Sequence, residues 1–303
     1  MPDARPRDTA VIVMAYGSPE RPEDIPAYFA DVRGGGPVPP ERVADLAERY
    51  RRIGGTSPLN EITERQRAAL EAELGLPVYV GMKHWEPRIA DAADAAVAAG
   101  AGRLVGLVLA PHYSRMSVGG YRERLESALN GGVDLRFIPS WHDHEPFVRL
   151  LADRVAAGLE EHGWQEDGHV VFTAHSLPER ILGEGDPYRD QLLETARLVA
   201  ERAGLPDARW SFAFQSESQT GEPWLGPDIL AHLADLRAAG VAHVLVAPVG
   251  FVADHLEILW DLDVEARQRA GELGIELDRI VSLNDDPAFV RALADLVRRE
   301  LAE

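Results

Sequence analysis

What most constrains this chain is that its second half repeats its first. Val11-Ile12-Val13-Met14-Ala15-Tyr16-Gly17-Ser18-Pro19 is matched by Val170-Val171-Phe172-Thr173-Ala174-His175-Ser176-Leu177-Pro178. Val108-Leu109-Ala110-Pro111 is matched by Leu245-Val246-Ala247-Pro248, and Phe147-Val148-Arg149 by Phe289-Val290-Arg291. Each long match is a short apolar run that stops at small and turn-forming residues, which is how a buried strand reads. Strands are expected at Thr9–Met14, Val78–Met82, Leu104–Leu109, Leu135–Ile138, His169–Thr173, Trp210–Phe214, His243–Ala247 and Arg279–Val281. Helical stretches lie between them, such as Pro40–Ile53, Thr63–Leu74, Arg88–Ala99, Gly120–Leu129, Phe147–Glu161, Tyr188–Ala203, Pro227–Ala239 and Pro287–Leu301. Strand and helix in alternation specify an α/β fold with parallel sheets. The repeat divides it into two Rossmann-like lobes, each a four-stranded parallel sheet flanked by helices. The first is expected at 8–140 plus 284–303, its final helix crossing back, and the second at 141–283.

Open parallel sheets bind ligands at the carboxyl ends of their strands. The distinctive residues fall there in both halves: Tyr16, Lys83-His84 and His112-Tyr113 in the first, His175, Gln215-Ser216 and Val249–Glu257 in the second. The two edges are therefore expected to face each other across a cleft, with Tyr16 and His175 in equivalent places. After the strand ending at Ala247, Pro248 and Gly250 make a turn, and Asp254 is placed to cap a helix. On a wheel of ~100° per residue, Leu256, Leu259, Trp260, Val264, Ile258, Leu262 and Ala266 cover most of the circumference. Glu257, Asp261 and Glu265 share the narrow arc that remains. Like charges four apart oppose a helix by a few tenths of a kcal/mol per pair. The arc is too narrow for an ordinary solvated face, so a cation is the simplest compensation. His255 falls among the apolar positions, where a satisfied core histidine is expected, and Asp263 falls there too and calls for an arginine partner.

His175 has an unperturbed pKa near 6.5, which suits it to move a proton or bind a divalent metal. A strand-end histidine can equally be structural. Its neighbourhood with the acidic stripe favours the functional reading. Ser176 lacks a Gly-x-Ser-x-Gly elbow, Gly34-Gly35-Gly36 lacks dinucleotide-binding spacing, and Gly54-Gly55-Thr56-Ser57 lacks a phosphate-loop lysine. Arg33, Arg49, Arg51 and Arg52 lie near Ser57 in the first half, as carboxylate clamps or as solvated helix arginines. Tyr121, Trp224 and Trp260 read first as core and second as surfaces for a flat ligand.

Composition closes other routes. With no cysteine in 303 residues there is no disulfide, thiolate nucleophile or cysteine-held iron–sulfur cluster. A net charge of -19 offers nucleic-acid phosphates and anionic lipid nothing to hold. MPDARPRDTA has no apolar core of signal-peptide length, and no stretch is apolar enough to span a bilayer. A cytoplasmic protein without membrane insertion is expected.

Taken together, Met14–Pro19, Ile53–Leu59, Lys83-His84, Leu109–Ser114, Ala174–Glu179, Gly185–Tyr188, Pro223–Pro227 and Pro248–Glu257 resemble the ferrochelatases, from about residue 9 to the C-terminus. Eight motifs in order make a specific match where each alone is weak. The resemblance implies a class II chelatase-like fold, with the active site between the lobes, that inserts Fe²⁺ into a porphyrin and releases two protons. It implies that His175 and Glu257 face the tetrapyrrole centre as catalytic and metal-binding residues. Asp261 and Glu265 would continue a metal-conducting ridge, and Tyr16, Arg33, Arg49, Ser57 and Tyr121 would hold the porphyrin. Fe²⁺ is then a substrate, and no resident cofactor is expected. Met-Ala-Tyr-Gly at 14–17 resembles the branch acting on coproporphyrin III in haem biosynthesis. Gly34-Gly35-Gly36 departs from the basic residues of many relatives. Alternatives are a protoporphyrin IX ferrochelatase, a cobalt chelatase of an early tetrapyrrole, and a non-catalytic two-lobed metal or solute binder. A monomer is expected, with transient product hand-off to neighbouring haem-pathway enzymes.

Overall fold

The architecture was read from a computed structural model that describes residues 8–129, 131–218 and 221–302; the first residues of the stretch read above for a signal segment lie outside these. β1 (Thr9–Ala15) is buried at every position, as a strand covered on both faces must be. β2 (Val78–Met82) and β3 (Arg103–Val108) pair parallel on either side of it, in register Val11↔Val78 and Val11↔Val105, and β4 (Asp134–Ile138) pairs with β3. In the second half β5 (His169–His175) is flanked by β6 (Trp210–Gln215) and β7 (His243–Ala247), and β8 (Glu276–Arg279) pairs with β7. The two four-stranded sheets run β2-β1-β3-β4 and β6-β5-β7-β8, one order written twice. The sequence repeat is thus a topological repeat, with β1 standing where β5 stands.

The connecting helices are α1 (Ile25–Val32), α2 (Pro40–Arg52), α3 (Leu59–Leu74), α4 (Ile89–Ala98), α5 (Gly120–Ala128), α6 (Glu145–His162), α7 (Tyr188–Arg202), α8 (Ile229–Ala238), α9 (Leu256–Leu259), α10 (Arg267–Leu273) and α11 (Pro287–Ala302). The matching Phe147 and Phe289, in the first turns of α6 and α11, are both fully buried. Helix α11 lies against α3, β3 and β4, and also against α6. One apolar core runs under both sheets, joining Val11, Val13 and Leu107 to Phe172, Leu245 and Ala247. That shared core holds the carboxyl ends of the two sheets at a fixed spacing.

Two expectations are corrected. The last strand occupies Glu276–Arg279 rather than Arg279–Val281. The apolar pair Ile280-Val281 drew the sequence reading, but the Ile280 amide makes the last bond to β7, at Val246 O 2.9 Å away, and Val281 is 65% exposed where the chain leaves the sheet. The stretch after Gly250 is not one regular helix capped by Asp254. Helix α9 is a single turn, and Asp261–Ala266 is π-helical, with the Glu265 amide bonding back to Trp260 O at 2.9 Å. The Asp254 carboxylate instead accepts from Ser282 Oγ at 2.7 Å and Asn284 Nδ2 at 2.9 Å, and pins the loop to the segment after β8.

Candidate active site

Two glycines set the approach of backbone that forms the site. Gly17 leaves β1 with φ +86°, and a Cβ there would lie 2.7 Å from Trp85 Cβ. Gly250 presses on β5 so closely that a Cβ would fall 2.8 Å from Ala174 Cα, and its amide bonds Thr173 O at 3.1 Å. Only glycine permits these contacts. The consequence is that the segment entering α9 lies beside the end of β5, where His175 sits.

Around these turns is a cavity of about 460 Å³, within the range of small-molecule sites. The first sheet's connections contribute Tyr16, Ser57, Lys83, His84 and Tyr121, and the second contributes His175, His255 and Glu257. His175 Nδ1 contacts Ser176 O, which fixes the proton on Nδ1 and leaves Nε2 toward Glu257, 3.6 Å from Oε1. Tyr188 donates its hydroxyl to His175 O at 2.9 Å, while Gln215, opposite His175 in the β5/β6 register, donates to Glu257 O at 2.8 Å. His255 Nε2 stands 3.5 Å from Glu257 Oε2, so one carboxylate is shared by two imidazoles. His255 is therefore a cavity residue and not the core histidine expected. The apolar wheel positions that hid it assumed a helix reaching back to Asp254, but the helix starts only after it.

Burial opposes charge on His175, yet the Glu257 carboxylate outweighs it and pushes the imidazole up to about 9. Burial likewise opposes ionisation of Glu257, and His175 and His255 together hold it well below the usual carboxylate range. The pair rests at neutral pH as imidazolium and carboxylate. Burial, and then the charge of Glu257, push Asp261 up to about 7, against the contact from Ser216 Oγ. Ser216 adopts φ 63°, a conformation costly for a residue with a side chain, to place that hydroxyl.

The cavity wall thus brings together Tyr16, Ser57, Tyr121, His175 and Glu257. It does not include Arg33, Arg49, Asp261 or Glu265. Arg33 and Arg49 are exposed, although each follows or precedes a wall residue, Val32 and Tyr50. Arg49 and Arg52 stack on Trp260, with guanidinium carbons 5.6 and 5.0 Å from its ring centroid. Asp261 is buried and Glu265 half-buried on the π-helical turn behind Glu257. His175 and His255 both approach Glu257, but among the described residues no group of three His, Asp or Glu side chains is arranged to hold a metal ion. Asp263 does find its arginine: Arg279 Nε donates to Oδ1 at 2.7 Å and Nη2 to Oδ2 at 2.9 Å. Ser176 donates its hydroxyl to Leu225 O at 2.7 Å and is buried, which removes it as a nucleophile.

A family model described as Ferrochelatase matches residues 8–301. The chain belongs to the ferrochelatase family. A protein named ferrochelatase from Herpetosiphon aurantiacus is 45% identical over 300 residues, covering 95% of this chain and 98% of that protein. One named coproporphyrin III ferrochelatase from Geobacillus kaustophilus is 41% identical, covering 98% and 97%. The solved structure of SirB from Bacillus subtilis with Fe³⁺ shares the fold, with a TM-score of 0.60 at 14% identity, over 97% of this chain and 96% of that one. The chain is thereby a metal chelatase, a lyase of haem biosynthesis.

Sequence reasoning missed Asp31, whose Oδ2 lies 2.8 Å from His84 Nδ1 while Oδ1 accepts from Arg88 at 3.1 Å. It sits on α1, the one long helix not foreseen, and no spacing rule links residues 53 apart. Gln66, His112 and Met116 also line the cavity unforeseen as such. His112-Tyr113 was at least flagged by its place at the exit of β3.

Proposed function

We propose that the chain inserts Fe²⁺ into coproporphyrin III, giving iron coproporphyrin III and two protons, in the cytoplasm. The observation that carries this reading is the 3.6 Å approach of His175 Nε2 to Glu257 Oε1 in the wall of a cavity whose other side is Tyr16 and Tyr121. Metallation requires removal of two pyrrole protons and a route for a cation to the ring centre. Glu257 draws a divalent cation. Once its charge is so engaged, it no longer holds the proton on His175; that proton passes to water at the ring's exposed edge, the side chain being 30% exposed, and Nε2 becomes free to take one from the macrocycle. Arrival of the metal thus creates the base that the metal needs. Asp261, with a pKa near 7, and Glu265 supply further carboxylate behind Glu257 along which the cation would approach.

Three features support a tetracarboxylate substrate: the Met14–Gly17 turn, the relatives named for coproporphyrin III, and Arg33 and Arg49 one residue from the wall. Ser57 and Tyr121 add a hydroxyl each within it. The test is anaerobic incubation with Fe²⁺, or Zn²⁺ as proxy, and either coproporphyrin III or protoporphyrin IX. Catalytic collapse of four visible bands toward two, faster with coproporphyrin III, is the expected result. Preference for protoporphyrin IX overturns the substrate, and stoichiometric binding without turnover overturns the catalysis.

A further inference from the structure

Resting on the reading above, the reaction releases two protons, and His175 can take only one. Its Nδ1 is committed to Ser176 O, so Nε2 is its single free nitrogen. Glu257 is a poor second acceptor, because two imidazoles already stabilise its charge and a cation would do so further. The first sheet's wall must therefore be searched for a neutral group whose protonated form is matched by a countercharge. Tyr16 fails, since burial and the charge of Glu257 keep its phenol protonated. Lys83 is lowered by burial and by Arg124 only to about 8, so it remains largely charged at neutral pH, and its Nζ lies 4.9 Å over the Tyr121 ring. His112 is neutral, but its Nε2 is bonded to Thr195 Oγ1 at 2.9 Å and its Nδ1 is sealed from solvent with no partner. A proton placed there would be a buried, unpaired charge.

His84 meets both requirements. It is buried in the cavity wall with its ring 4.5 Å from that of Tyr16. Asp31 Oδ2, 2.8 Å from Nδ1, fixes the proton on that nitrogen and leaves Nε2 as the ring's acceptor. We infer that His84 Nε2 accepts the second pyrrole proton from the first sheet's side of the macrocycle, with Asp31 as its positioning residue. In the balanced step, one N–H bond of the macrocycle breaks, its electron pair stays on the pyrrole nitrogen for the metal, and the proton forms an imidazolium facing the Asp31 carboxylate. The groups around it are Asp31 on α1, Arg88 before α4, Lys83 beside it, Arg124 on α5 and Tyr16 after β1. Burial lowers its pKa, Asp31 opposes that, and Lys83 and Arg124 add to it, so it is a neutral base at pH 7.

The test is the pH dependence of steady-state Zn²⁺ insertion into coproporphyrin III by the full chain and by H84Q and D31N, with porphyrin affinity followed by fluorescence quenching. H84Q should bind porphyrin like the parent, turn over about a hundredfold more slowly, and lose the rise in rate below pH 6.5. Free imidazole should restore part of the rate in H84A. D31N keeps the base but removes the charge that raises its pKa, so its acid limb should move to lower pH; a merely structural Asp31 would lower the rate alike at every pH. If H84Q stays within threefold with an unchanged acid limb, or D31N leaves that limb in place, the assignment is wrong while the chelatase reading stands. A parent protein that metallates no porphyrin overturns both.

Discussion

The two walls of the cavity each present an imidazole beside a carboxylate, yet in opposite charge states. At His84 burial disfavours the charged ring, the carboxylate of Asp31 is shared with the Arg88 guanidinium, and Lys83 and Arg124 add positive charge, so the imidazole stays neutral. At His175 the ion pairs of Glu257 are both with imidazoles and none is with an arginine, so against the opposing burial its charge holds a proton on His175. Asp31, which already serves an arginine, orients its histidine; Glu257, which serves none, charges His175. On the proposed mechanism the same strand order builds a resting base on one side and a base that must be switched on by a cation on the other.

The harshest test of that contrast is Glu257→Gln. It should lower turnover by about 10²–10³ with porphyrin binding kept, and His175→Ala should do the same. It should also let His175 fall from about 9 toward the ordinary histidine value, because the charge that raised it is gone. Histidine ring NMR against pH reads this directly, with His84 as internal control. If His175 keeps its raised value in the variant, Glu257 is not what charges it and the contrast fails.

A second comparison lies within one stretch, between acids that serve the fold and acids that serve the site. Asp263 is clamped by Arg279, which also reaches Asp254 at 3.1 Å, and these side chains are only 13–28% exposed. Arg279→Gln should destabilise the chain by about 2 kcal/mol, seen as an earlier denaturant midpoint, with turnover per folded molecule within twofold of the parent. Asp261, by contrast, has Ser216 as its partner and no clamp. Asp261→Asn mimics its protonated form, so nothing should change below pH 6, while at pH 8 the KM for Zn²⁺ should rise about fivefold with kcat unchanged. A fall in kcat at both pH values would move Asp261 from cation supply to the reaction itself.

How much of this was legible beforehand follows from the kind of signal each feature leaves. The sheets were, because Val11–Ala15 and Val170–Phe172 are continuous apolar runs at matching places in one repeated pattern. So was the meeting of His175 and Glu257 in one wall, through their place at or past the carboxyl ends of neighbouring strands. The pairing of His84 with Asp31 and of Asp261 with Ser216 was not, because tertiary folding alone brings these residues together. Nor was the π-helical turn: a wheel of fixed pitch assumes the i→i+4 bond that Glu265 exchanges for i→i+5. That exchange lets Asp261 turn inward to Ser216 while Glu257 stays in the wall. Arg33 and Arg49 were placed in the site by resemblance, and the wall stops one residue short of each.

The gentlest probe is stability against pH. Because His175 has a raised pKa, its share of the pair's stabilisation is complete below about 6.5 and is lost as pH climbs through about 9. Because Glu257 has a depressed one, its share is complete above 4.5 and is lost as pH falls toward its folded value. The two statements describe one interaction and are not added. The gap in Tm between the parent and Glu257→Gln should therefore be widest, a few degrees, between pH 4.5 and 6.5, and should close by about pH 10. His84→Gln offers the mirror experiment: an imidazole held neutral by burial and by the nearby cations gives no such high-pH closure. A gap that stayed constant for Glu257→Gln would mean that the pair takes up no extra proton on folding, and the two walls would then differ in shape rather than in charge.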